Sequence, residues 1–287
     1  MHAAVIFGPG GSTKDLEPFQ TRSEATWLIG LPANPNAADA ILIFGGDGTV
    51  HRHLADLVRL QLPVLVVPCG SGNDFARALN LRSVSDSLAA WRKFSSGTDN
   101  VKTIDLGVIS PLATDQPRAP RYFCCVGGVG LDGEIARRAN RLPQWLRAHG
   151  GYVFSLLPAL LRFAPVPMKI SADHAGHPEV VHKVVVAAFA NAPAYGGGMK
   201  IAPRAQLDDG ALDVCVIRDM NKLKLFCLFP TIYFGRHLSI PQVEYFQTDY
   251  LRLETEEPLD VYADGEYVCR TPIEVRVARG VLRVIRG

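Results

Sequence analysis

The sequence predicts two domains: an α/β domain of parallel strands and helices, followed by an antiparallel β-sandwich domain. Three observations predict it. Short apolar runs ending in glycine or proline alternate with helical patterns over the first third of the chain. Turn-bounded strands rich in β-branched residues fill the rest, and 287 residues exceed the usual length of one domain. Taken in order, Ala3 to Phe7, Ala40 to Phe44 and Leu62 to Val67 read as strands buried on both faces. Val50, Leu54, Leu57 and Val58 share one helical face, Ser85 to Phe94 supplies a second helix, and Val101 to Ile109 a further strand. A proline-containing loop after Ser110 places the boundary, giving domains 1–110 and 111–287. Beyond it, strands are expected over Tyr122 to Val126, Lys183 to Ala190, Ala211 to Ile217, Tyr250 to Leu253, Leu259 to Ala263 and Ile273 to Val284. Helices are expected from Gly133 to about Ala139 and from Lys222 to Phe234, the latter broken or kinked at Pro230.

Composition narrows the function classes. Hydrophobic residues at 48% and charged residues at 20% are ordinary globular usage, which excludes a disordered or fibrous chain. A formal net charge of +2 without a basic arm argues against a nucleic-acid partner. Cys69, Cys124, Cys125, Cys215, Cys227 and Cys269 lack zinc-knuckle or dithiol spacing and read as reduced thiols of the core. The N-terminus lacks the pattern of an export signal and no apolar stretch is long enough to cross a bilayer, so a cytoplasmic address is expected.

Three segments carry chemistry. The apolar run Ala40 to Phe44 enters Gly45-Gly46-Asp47-Gly48-Thr49 and then a helix, a layout in which bare backbone and helix-start amides can receive phosphate. A carboxylate beside polyphosphate is repulsive unless a cation intervenes, so Asp47 points to magnesium or to a hydroxyl. Read alone, the turn is equally a tight strand-to-helix connection. A second loop of the same design, Pro68-Cys69-Gly70-Ser71-Gly72-Asn73-Asp74, follows the next strand, although Asn73 and Asp74 can also be helix caps. Asp264-Gly265-Glu266 is by itself a hairpin turn between alternating strands. Asp132-Gly133-Glu134 opens a helix and reads as capping with acidic residues at the positive helix end.

Together these motifs resemble the diacylglycerol kinase catalytic family, with its bacterial lipid kinase and sphingosine kinase relatives, over nearly the whole chain. GGDGT is shared with NAD kinases; PCGSGNDFARAL, NAPAYGGGMKIAPRAQLDDGALDV and YADGE narrow the match to the lipid kinases. The resemblance implies an NAD kinase-like N-terminal ATP domain, a C-terminal β-sandwich domain, and an active site in the cleft between them. It implies that Gly45, Gly46, Asp47, Gly48 and Thr49 hold phosphates, joined by Gly70, Ser71, Asn73 and Asp74, with Ser71 where threonine is usual. Glu266 would be the general base and Asp47 its catalytic companion, with magnesium near Asp47, Asp105 and Asp264. The implied reaction is ATP-dependent phosphorylation of diacylglycerol or a similar lipid. A sphingoid-base or other amphiphile kinase, an NAD kinase-like enzyme and a non-catalytic nucleotide-binding homologue remain alternatives.

The departures are local. His51 and His53 stand where relatives carry Asn and Glu, and Phe7-Gly8-Pro9-Gly10-Gly11 stands where an Asn-Pro turn is usual. Arg204 replaces an aspartate that holds a structural metal in relatives, so that metal is expected to be absent. A lipid acceptor implies transient contact with the membrane surface, for which Arg137, Arg138, Arg141, Trp145 and Arg147 form a basic, partly aromatic stretch. Oligomeric state and the acceptor's identity are not readable.

Overall fold

A computed structural model of the protein describes residues 1–21, 25–113, 120–131, 133–135, 137, 159–160, 162–172 and 180–287. It separates into two compact units, residues 1–105 with 279–287, and residues 106–278. The chain passes between them twice, within β5 (Val101–Pro111) and within β15 (Ile273–Ile285). The C-terminal return to the first unit has no counterpart in a linear division at 110/111.

In the first unit, β1 (His2–Phe7), β2 (Thr26–Ile29), β3 (Ala40–Gly45) and β4 (Val64–Pro68) form a parallel sheet in the order β2-β1-β3-β4. Val284 of β15 pairs in parallel with Val64 at the β4 edge. Every residue of β3 is buried, as an apolar run without alternation requires. Helices α1 (Thr13–Gln20), α2 (Asp47–Leu60), α3 (Asp74–Ala78) and α4 (Val84–Ser95) follow the strands. Val50, Leu54 and Leu57 of α2 are buried, while Val58, expected on the same face, is half-buried. Edge strand β2 is largely exposed, which explains why its pattern carried no strand signal.

In the second unit, β9 (Val180–Ala190) pairs with β8 (Val166–Ala172) along its first half. Along its second half it lies between β7 (Val126–Gly130) and β10 (Leu212–Arg218). Strand β11 (Val243–Thr248) extends the sheet from β10, β12 (Tyr250–Thr255) joins β8 to β15, and β13 (Asp260–Ala263) joins β7 to β14 (Glu266–Arg270). All these pairings are antiparallel. Phe123, Phe189, Val214, Leu251, Val261 and Ile273 meet in one buried core.

Three expectations are corrected. The strand over Tyr122 to Val126 is two, β6 (Arg121–Phe123) and β7, interrupted at Cys124 and Cys125. Helix α5 (Lys222–Tyr233) continues through Pro230, so the proline does not break it. Cys227 is exposed and Cys69 half-buried, so only Cys124, Cys125, Cys215 and Cys269 are core thiols. Among the described residues no helix is long and apolar enough to cross a membrane.

Candidate functional site

The parallel register aligns the C-terminal ends of β1, β3 and β4, pairing Phe7 with Phe44 and Gly45 with Pro68. Three loops therefore meet at the sheet edge where open α/β folds bind ligands. The Gly8 amide donates to the Phe44 carbonyl at 2.8 Å, and the Cys69 amide to the Gly45 carbonyl at 3.2 Å. Gly46 and Gly70 pack backbone against backbone, since a Cβ on Gly70 would lie 2.4 Å from the Gly46 Cα. The glycines are thus required by the approach of one loop to the other, whatever ligand the loops receive. Thr49 is buried, its hydroxyl lying where a Cβ on Gly45 would be 2.6 Å away.

Asp47 binds the two loops together. Its Oδ2 accepts from the Asp74 amide at 2.9 Å and its Oδ1 from the Phe75 amide at 3.0 Å, so this carboxylate caps α3. Negative charge at a helix N-terminus is favoured by the orphan amides and the helix dipole. Gly72 leaves room for this contact, because a Cβ there would meet Oδ2 at 2.7 Å. Asn73 adopts the left-handed conformation, φ 55°, and clasps Gly70 through both ends of its amide, Oδ1 to the Gly70 amide and Nδ2 to its carbonyl. Asp74 is buried and paired with Arg77. Ser71 is exposed, and the Gly48 carbonyl accepts from Arg52 Nε at 2.9 Å. Asp105 lies on β5, outside the three loops, its Oδ1 accepting from the Gly280 amide at 2.7 Å. His51 and His53 lie half-buried on α2, and partial burial holds His53 below the ordinary imidazole range.

In the second unit, Ala263 pairs with Glu266 across a two-residue turn in which Asp264 has φ 51° and Gly265 φ 83°. Both positive angles belong to the type I′ hairpin that Asp-Gly favours. The Asp264 side chain is buried and accepts from two successive amides, Cys124 at 2.9 Å and Cys125 at 2.8 Å. These amides belong to the break between β6 and β7; they serve a carboxylate instead of a ladder. Glu266, two residues on, is half-buried, and its carboxylate has no hydrogen-bond partner among the described residues. A fixed turn therefore presents an unengaged carboxylate.

The fold also brings together groups that the sequence kept apart. Cys124 Sγ, Cys125 Sγ and the Asp264 carboxylate lie within 4.8 Å of one another. They offer three donors where structural zinc takes four, and both carboxylate oxygens already accept amides. In the segment 191–214, Asp213 is buried and receives Tyr245 Oη at 2.6 Å and Gln247 Nε2 at 3.2 Å. Burial raises the Asp213 carboxyl above its usual range, with these hydrogen bonds opposing. The Arg204 guanidinium sits 5.8 Å from the Tyr245 ring centroid. Of the basic stretch, Arg137 pairs with Glu134, while Arg138, Arg141, Trp145 and Arg147 lie outside the described residues, as does Asp132.

Sequence reading missed Cys124 and Cys125, whose contribution is backbone amides. A strand pattern broken by a Cys-Cys pair was its only trace.

Residues 14–109 match the family model of the diacylglycerol kinase catalytic domain, and residues 126–286 match the YegS C-terminal NAD kinase beta sandwich-like domain. A diacylglycerol kinase of Mycobacterium tuberculosis is 34% identical over 248 residues, covering 86% of this chain and 77% of that protein. A diacylglycerol kinase of Bacillus subtilis is 25% identical over 257 residues, covering 87% and 80%. In fold, the chain is similar to a diacylglycerol kinase from Bacillus anthracis at TM-score 0.69 and 19% identity, over 100% of this chain and 97% of that one. It is also similar to an NAD kinase from Archaeoglobus fulgidus in complex with ATP, at TM-score 0.57 and 16% identity, over 100% and 94%.

Proposed function

The chain belongs to the family of diacylglycerol kinases and YegS-type lipid kinases, and from that premise we propose that it transfers the γ-phosphate of ATP to the free hydroxyl of diacylglycerol. The carrying observation is the unengaged Glu266 carboxylate on a turn anchored through Asp264. Glu266 takes the proton of the lipid hydroxyl as that oxygen forms a bond to the γ-phosphorus. The bond from γ-phosphorus to the bridging oxygen breaks, its electrons leave with ADP, and phosphatidic acid is the lipid product.

The glycine loops supply the nucleotide side. Gly45, Gly46, Gly48, Thr49, Gly70, Ser71, Asn73 and Asp74 build or line the paired loops that receive the phosphates, with the start of α2 contributing its amides and positive dipole end. Carboxylate oxygens are the donors magnesium takes, and of the carboxylates on the paired loops Asp47 is half-exposed while Asp74 is buried, so Asp47 would hold the ion. The charge such an ion would supply there is the neutralisation that phosphoryl transfer needs. Asp105 and Asp264, also expected near the ion, are buried on backbone amides and serve first as anchors. The Arg204 cation near Asp213 disfavours a second, structural metal. Because diacylglycerol stays in the bilayer, the enzyme works in transient contact with the membrane surface.

The test is labelled ATP with diacylglycerol, a sphingoid base and NAD offered separately in mixed micelles. Labelled phosphatidic acid is expected as the main product. Bound ATP without phosphorylation of any acceptor would overturn the kinase reading, and preferential labelling of another acceptor would overturn the choice of diacylglycerol.

A further inference from the structure

We infer that the outer face of α5 is the surface by which the protein docks on bilayers containing anionic lipid. The helix has two apolar stripes. One, Leu225, Leu228, Phe229 and Ile232, is buried in the second unit. On the other side, Leu223 and Phe226 are 73% and 49% exposed, Cys227 and Pro230 are also exposed, and Phe234 just past the helix is 73% exposed. Single exposed apolar residues are ordinary, but residues recurring every three or four positions along one helix face form a continuous stripe.

Its charge points to the occupant. Lys222 and Lys224 stand at the start of the helix and Arg236 just beyond its end, while the segment 220–243 contains no aspartate or glutamate. An apolar stripe with cations at both ends fits an anionic interface, with side chains entering the acyl boundary and basic groups meeting headgroups. A second copy of the same face across a two-fold axis would bring these like charges together. At 12 residues the helix is about 18 Å long, too short to span, and its buried stripe keeps it lying flat. Asn221 Oδ1 accepts from the Lys224 amide at 2.8 Å, so the helix is capped and formed before any membrane is met.

The inference rests on the lipid-kinase reading for the reason a bilayer is approached, but the two fail separately. The full chain is sedimented with phosphatidylcholine vesicles with and without phosphatidylglycerol. Replacing Leu223, Phe226 and Phe234 together by serine is expected to lower partitioning about tenfold or more. Lys222→Gln with Lys224→Gln should lower it about fivefold per lysine on anionic vesicles, an effect that fades in high salt. The circular dichroism and unfolding midpoint of both variants should match the parent. The serine variant should turn over a water-dispersed short-chain diacylglycerol normally while losing turnover of vesicle-embedded diacylglycerol. Loss of vesicle binding by a chain whose parent phosphorylates no lipid would sink the kinase reading and leave the docking face standing. Vesicle binding equal to the parent's overturns the inference, as does a dimer made monomeric by the serines with partitioning unchanged.

Discussion

Asp47 in the first unit and Asp264 in the second do the same local job in different surroundings. Each carboxylate accepts from two successive backbone amides, those of Asp74 and Phe75 in one case and of Cys124 and Cys125 in the other. Asp47 is half-exposed and caps a helix that its charge would favour anyway; Asp264 is buried and holds open a break between two strands. The first anchor is partly open to solvent, and it is the carboxylate proposed above to take the cation. The second holds the hairpin in place, and the base proposed above is its neighbour Glu266. An acidic residue in a motif is therefore assigned by what its oxygens already hold.

The largest expected effect separates the two anchors. Asp264→Ala leaves two buried amides unpaired and puts alanine, which tolerates the left-handed region less well than aspartate, at φ 51°, and should destabilise the second unit by about 3–5 kcal/mol in urea unfolding. Asp47→Ala removes a helix cap in partly solvated surroundings, and about 1–2 kcal/mol is expected in the same experiment. Equal losses would break the distinction between buried and half-exposed anchors.

A smaller contrast lies in two histidines. His237 of the second unit is buried, its Nε2 against the Ile201 carbonyl at 3.0 Å, and burial lowers its pKa from 6.5. The folded state keeps the ring neutral where the unfolded chain becomes protonated. Its stabilising contribution is full above about pH 6.5 and falls as pH drops toward the folded value, by at most about 1.4 kcal/mol per pH unit. Unfolding midpoints at pH 7.5 and 5.5 should therefore differ less in His237→Gln than in the parent. His53 in the first unit shifts in the same direction but is only half-buried, so His53→Gln should flatten the profile less. The smallest effect belongs to exposed Ser71, where Ser71→Thr should stay within about 0.5 kcal/mol of the parent by thermal unfolding.

The parallel strands, the glycine loops and the Asp-Gly hairpin were legible because each is a local pattern: an unbroken apolar run, a turn dipeptide, a helix period. What escaped was set by partners distant in sequence. The Asp47 carboxylate meets amides at 74 and 75, a capping role that no local pattern signals. The break at Cys124 follows from a carboxylate 140 residues away, and the return of 279–287 to the first unit continues a strand that looked uniform. Exposed β2 hid for the opposite reason: an edge strand with little to bury leaves little periodicity.

The central claim, that Glu266 is the base while Asp47 and Asp264 anchor, is tested most directly by Glu266→Gln in the diacylglycerol assay. The expected result is a kcat lower by about 100-fold to 10,000-fold, with the unfolding midpoint and ATP affinity of the parent. Turnover equal to the parent's would contradict it.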